Sequence, residues 1–274
     1  MSELTRKEVL QLLAAVHGDA SGVRLSGVDL SGLDLCGLNF LNADLRGANL
    51  SETQLSKSHL SNANLSGSVL IHAILSNADL SNANLAGANL RDARLTHALL
   101  REATLNSVDA VGCDFSDADL TDARLNLADL NSADLSRALL TRARLQKTQL
   151  DGADLVDTVL QHANLADANL DLANCIRANF SHASMQRASL VNASLVWANL
   201  RDANLADSIL ARADLSNADC SRAIFRTAQM RGVILRETNL AGATLREAQV
   251  DGETLAYALL AGTTLPDGST SLDR

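Results

Sequence analysis

From Leu25 to Leu265, every fifth residue is apolar without a break. Leu fills 39 of the 49 positions, and Phe, Met, Cys, Val and a single Ala fill the rest. Two places before each of these residues stands Ala at 33 of the 49 positions, so the unit reads Ala-(Asp/Asn)-Leu-x-x, as in Ala43-Asp44-Leu45, Ala83-Asn84-Leu85 and Ala203-Asn204-Leu205. A period of five fits neither ordinary element. On an α-helix, five residues advance about 140° past a full turn, which would wind the leucines round every face. On an unbroken strand, odd spacing would send successive leucines to opposite sides. The remaining solution is a short extended segment with Ala and Leu inward and Asp or Asn outward, followed by a two-residue corner. Ser31-Gly32, Arg46-Gly47 and Ser66-Gly67 have the residue types that turn corners.

These repeats resemble the pentapeptide-repeat proteins over residues 21–265. The resemblance implies an all-β fold, a right-handed quadrilateral β-helix with four pentapeptides per coil and stacked Leu and Ala ladders inside. The 49 repeats would then make about twelve coils, and at roughly 4.8 Å per coil a rod near 60 Å long. Residues 1–20 are expected to form an N-terminal α-helical cap. Thr5 and Glu8 make a capping box, Val9, Leu12, Leu13 and Val16 recur at helical spacing, and Gly18 stops the helix. Val23, Val28, Leu33 and Leu38 replace Ala in the first coil and would widen it to meet that helix. Residues 266–274 read as a polar C-terminal tail.

Two inward positions depart from the pattern. Ala110 replaces a core Leu, with Val108 and Cys113 large enough to refill the space. Glu253 takes an Ala position, where a buried carboxylate would be costly, so the last coil is expected to open or distort there.

Composition narrows the function. Apolar residues make up 47% of the chain but aromatics only 2%, so the core is built from Leu and Ala. The net charge of −9 argues against direct nucleic-acid binding, which clustered Lys and Arg supply. The apolar runs are too short to cross a bilayer, the N-terminus lacks a signal-peptide pattern, and a cytoplasmic protein without membrane association is expected. Cys36, Cys113, Cys175 and Cys220 lack zinc-site or disulfide spacing and read as reduced thiols.

No phosphate loop or nucleophile arrangement occurs, so no catalytic, cofactor or metal residues are assigned and the chain reads as non-enzymatic. His162 and His182, twenty residues apart, would stack on adjacent coils; two imidazoles without a third ligand make a weak metal site, and a solvated corner pair is the plainer reading. Sorting outward residues by position modulo twenty gives a net acidic face around Leu30, Leu50 and onward and a net basic one around Leu25, Leu45 and onward.

Three candidate surfaces remain. Asp109, Asp114, Asp117, Asp119, Asp122, Asp129 and Asp134 face a single Arg124. The resemblance implies a duplex-mimicking surface for family members that protect DNA gyrase, whereas the plain reading is that Asp is favoured between Ala and Leu. Val156, Ile176 and Val196 should stack into an exposed stripe beside Trp197, either a surface for an unidentified protein partner or a β-branched ladder. Tyr257, Leu259, Leu260 and Leu265 mark an end where some family members dimerise, so a homodimer is possible there. The core rich in Leu rather than Phe, the absence of an inserted loop and the interrupting Arg residues depart from the quinolone-protection members. An interaction scaffold resembling bacterial, especially cyanobacterial, members without an assigned role is therefore expected, with a DNA mimic acting on a topoisomerase as the alternative.

Overall fold

The computed structural model describes Glu8, Gln11, Ala15 and residues 18–271. Glu8, Gln11 and Ala15 are helical and exposed. The rest of the expected capping box and stripe, Thr5, Val9, Leu12, Leu13 and Val16, lies outside the described residues. The chain divides into two compact units, Met1–Asp134 and Leu135–Arg274.

In the first unit the chain returns alongside itself every twenty residues. Parallel bridges link Arg24 to Asp44, Asp44 to Asn64, Asn64 to Asn84, Asn84 to Thr104 and Thr104 to Arg124, and three further columns start at Asp19, Asp29 and Asp34. Each bridge is a single residue long. The all-β expectation is corrected to that extent: among the described residues no multi-residue strand forms, because a corner follows every three extended residues. The backbone is nevertheless well paired. Leu60 N–H donates to the Asp79 carbonyl (2.6 Å), Asn62 N–H to Ser81 (2.9 Å) and Asn64 N–H to Ala43 (2.9 Å). This satisfies the peptide groups that an apolar interior cannot.

The corners follow from the pentapeptide. The core residue's carbonyl accepts the N–H three places on, as Leu80 does from Ala83 (2.9 Å). The third residue of that turn is left-handed, with φ 59° at Asn82 and 62° at Gly47, as a type II turn requires. Leu and Ala point into a core in which Leu45, Leu65, Leu85, Ala63 and Ala83 are buried. Each buried Leu contributes about 1.5–3 kcal/mol. Where a hydroxyl replaces Ala it stays satisfied, Thr53 Oγ1 donating to the Leu50 carbonyl (2.6 Å) and Ser58 Oγ to Leu55 (2.7 Å). Val108, Ala110 and Cys113 are all buried, in keeping with a refilled core. At the N-terminal end Val28 is buried, while Val23, Leu33 and Leu38 are half-buried.

The second unit repeats this scheme from Leu139, bridged to Val159, through Gln229, bridged to Gln249. Phe180 and Phe225 are fully buried in its core. Near its end the pattern breaks: Gly252–Leu255 forms one helical turn. Glu253 is exposed on it, which agrees with the distortion expected from a carboxylate at an Ala position. The polar tail then turns back. Thr264 pairs antiparallel with Thr270, Leu265 N–H donates to Ser269 (2.7 Å) and Ser271 N–H to Thr263 (2.8 Å). This covers part of an edge that would otherwise offer free backbone groups to another chain.

Candidate interaction surfaces

The outward Asp and Asn between Ala and Leu have a local task. Their carboxylate or amide oxygen accepts the backbone N–H two residues on, at the start of the corner, as Asp29 does from Ser31 (3.0 Å), Asn84 from Ala86 (3.1 Å) and Asp214 from Ser216 (2.9 Å). Such Asx turns hold the bend. Asn side chains also reach the coil before, Asn239 Nδ2 donating to Asp219 Oδ1 (3.0 Å).

That task accounts for much of the acidic cluster. Asp114 accepts from Ser116 (3.0 Å), Asp119 from Thr121 (3.0 Å) and Asp129 from Asn131 (3.2 Å). The seven residues do not share one face. Asp109 and Asp129 lie in one bridged column, Asp114 and Asp134 in a second and Asp119 in a third, while Asp117 and Asp122 occupy left-handed corners. Arg91 Nε lies 2.7 Å from Asp109 Oδ2 and Arg101 Nη1 2.9 Å from Asp119 Oδ2; His97 Nε2 is 4.0 Å from Asp117. Burial pushes the Asp119 carboxyl up, but hydrogen bonds from Thr121 and Arg101 outweigh it and hold the group below its ordinary value. The neutralising Arg91 and Arg101 each precede their partner by 18 residues, close to one coil.

Val156, Ile176 and Val196 do stack on successive coils, Asp157 N–H donating to Ile176 (3.1 Å) and Arg177 N–H to Val196 (3.0 Å). They are half-buried, which corrects the expected exposed stripe: each sits against the next at the start of its corner. Trp197 is different. It occupies a left-handed corner at φ 62° and is 61% exposed. Leu172 (61%) and Leu127 (60%) sit at equivalent corners. Sequence reasoning passed over these two leucines, although an apolar residue two places after a core position marks them.

The second unit carries ionic columns at its corners. Arg177 Nε donates to Asp157 Oδ1 (2.7 Å), Arg187 Nε to Asp167 Oδ1 (2.7 Å) and Arg222 Nε to Asp202 Oδ1 (2.7 Å), each twenty residues apart. These guanidinium hydrogen bonds hold all three carboxyls below the usual range. His162 and His182 stack with ring centroids 4.8 Å apart, and His182 Nε2 lies 3.7 Å from Asp202 Oδ2. Among the described residues no three His, Cys, Asp or Glu side chains converge as a metal site. Cys113, Cys175 and Cys220 are buried, and burial pushes their thiols well up, so they behave as small apolar residues. Cys36 is exposed. At the C-terminal end Tyr257 and Leu259 are exposed and Leu260 and Leu265 half-buried. No described helix is long and apolar enough to cross a membrane.

Single-residue parallel bridges twenty residues apart, with Leu and Ala inside and side chains at fixed intervals outside, define a coiled repeat protein. The chain belongs to the pentapeptide repeat family: the model of that family matches in eight copies across residues 24–232. Among solved structures it is similar to HetL, a pentapeptide repeat protein involved in heterocyst differentiation regulation from the cyanobacterium Nostoc sp. strain PCC 7120. Identity is 33%, over 97% of this chain and 99% of that one, at a TM-score of 0.34. It is also similar to Rfr23 from the cyanobacterium Cyanothece 51142, at 27% identity over 43% of this chain and 90% of that one, with a TM-score of 0.33. The full-length plasmid-mediated fluoroquinolone resistance protein QnrB1 is 19% identical over 86% and 93% of the two chains, with a TM-score of 0.29. No curated protein matches the chain.

Proposed function

We propose that this protein is a non-enzymatic cytoplasmic interaction scaffold, a right-handed four-sided β-helix of about twelve coils behind an N-terminal helical cap, that presents a fixed surface around Trp197 to a protein partner. One observation carries this reading: the only tryptophan stands exposed at a left-handed corner. A bulky residue is disfavoured at positive φ, where Gly or Asn would serve folding better. An exposed indole serves solubility no better. Trp is, however, among the residues that dominate protein interfaces.

Capture of partners from an extract of the native host, with wild type against Trp197→Ala and Val196→Ser, tests the surface. Loss of a partner in Trp197→Ala supports it, and equal recovery by all three proteins rejects it. The alternative, a DNA mimic that binds DNA gyrase, rests on the acidity between Asp109 and Asp134. The Asx turns and the pairing to Arg91 and Arg101 weigh against it. No inhibition of gyrase supercoiling is expected at about a tenfold molar excess of this protein. Inhibition lost on changing Asp117 and Asp122 to Asn would replace the scaffold reading.

A further inference from the structure

The backbone ladder of the second unit is interrupted at one side of one coil. At neighbouring core positions the N–H donates to the carbonyl nineteen residues on, as Leu215 does to Ile234 (2.9 Å), Met230 to Gln249 (2.9 Å) and Leu240 to Leu259 (2.8 Å). Among the described residues Leu235 N–H finds no such partner, nor does the corner N–H of Gly232, and no N–H reaches the Val233 carbonyl. The cause is the helical turn Gly252–Leu255: Thr254 N–H, whose regular partner is Val233, turns instead to Asp251 (3.0 Å). Ile234 is accordingly bridged to Asp214 on one side and to nothing on the other.

The gap is a cavity of about 400 Å³ lined by Val233, Ile234, Leu235, Arg236, Glu253, Thr254 and Tyr257. Ile234 is 46% exposed and Tyr257 68%. The free groups sit in the order that a parallel bridge uses, a carbonyl one residue before Ile234 and an N–H one residue after it. The exposed apolar side chains of Ile234 and Tyr257 beside unpaired backbone groups favour an occupant that brings its own backbone donor and acceptor together with an apolar side chain. Arg236 and Glu253 carry opposite charges and give no net preference for a charged occupant.

We propose that this slot binds an extended apolar peptide segment of a partner, one residue of which donates its N–H to Val233 and accepts from Leu235, completing the missing bridge to Ile234. Its side chain lies against Ile234 and Tyr257. The site is separate from the Trp197 surface and stands or falls without it.

The test uses the full chain labelled with nitrogen-15 and the blocked, uncharged peptide acetyl-Thr-Val-Thr-Val-Thr-amide, whose residues favour extended structure. Titration is expected to shift the Leu235 and Gly232 amide resonances and slow their hydrogen exchange. Methylating the backbone nitrogens of both valines removes the donor to Val233 and is expected to weaken binding about tenfold. Ile234→Lys, a change at an exposed side chain, is expected to weaken it as well. Unmoved amides at millimolar peptide would overturn the proposal, as would equal affinity for the methylated peptide. Shifts of the same amides with protein concentration alone would assign the slot to a second copy of the chain and overturn the peptide.

Discussion

The two units meet the same backbone demand with different side chains. Twenty-three left-handed corner residues run from Gly22 to Ser132 in the first unit and twenty-three from Arg137 to Glu247 in the second. In the first, eight are Gly and six carry charge; in the second, three are Gly and thirteen carry charge. Gly removes the steric cost of positive φ, whereas Arg and Asp accept it and gain a partner on the next coil. The fold requires only a left-handed residue at each corner and leaves the side chain open to selection for surface properties. The ionic columns and the tryptophan corner of the second unit show how far that freedom extends.

The largest expected effects should not distinguish the units. Leu85→Ala in the first and Leu205→Ala in the second each leave a void in a buried Leu ladder and are expected to cost roughly 2–5 kcal/mol in urea unfolding. A loss confined to one unit would mean that the cores differ as well as the corners. Smaller effects should separate them. Gly87→Ala meets no atom within 4 Å, so only its φ of 65° opposes a side chain, and a cost of about 1 kcal/mol is expected. Arg187→Gly in the second unit relieves strain while losing the pair to Asp167, and should change stability less than Gly87→Ala does.

The smallest effect is electrostatic. Asp167 has its carboxyl lowered mainly by the hydrogen bond from Arg187, so its contribution to stability is present above the unfolded carboxylate value and disappears as pH falls through the lower folded value. Protection against hydrogen exchange near Asp167, taken relative to the intrinsic rate at each pH, should therefore fall below about pH 4, the ordinary carboxylate range, and Arg187→Gln should remove most of that response. Amides at the Asn62 and Asn82 corners of the first unit should respond less, because neither residue titrates. An equal response at both sites would show that the ionic columns contribute nothing locally.

Much of this architecture was legible in the spacing. A period of five excludes a straight helix and a straight strand, and Glu253 at an Ala position marked the place where the last regular coil distorts. Other features were hidden for physical reasons. Asp at the outward position looked like surface charge, because the hydrogen bond that Asp114 accepts from the Ser116 N–H depends on the corner's geometry and not on composition. Val156, Ile176 and Val196 were placed in one column correctly but judged exposed, since spacing does not tell how deeply a corner side chain tucks against the next coil. The slot beside Ile234 needed the coordinates: it exists because a helical turn withdraws Thr254 from a bond that sequence register alone would assign to it.

Close approach of residues twenty apart within a unit is the claim on which the rest depends. Spin labels at positions 61 and 81, placed after changing the exposed Cys36 to Ser, test it directly, because Asn62 N–H donates to the Ser81 carbonyl at 2.9 Å. A doubly labelled protein with strong dipolar broadening, absent from either single label, is the result expected. A spectrum equal to the sum of the two singly labelled proteins would contradict the coiled arrangement of the chain.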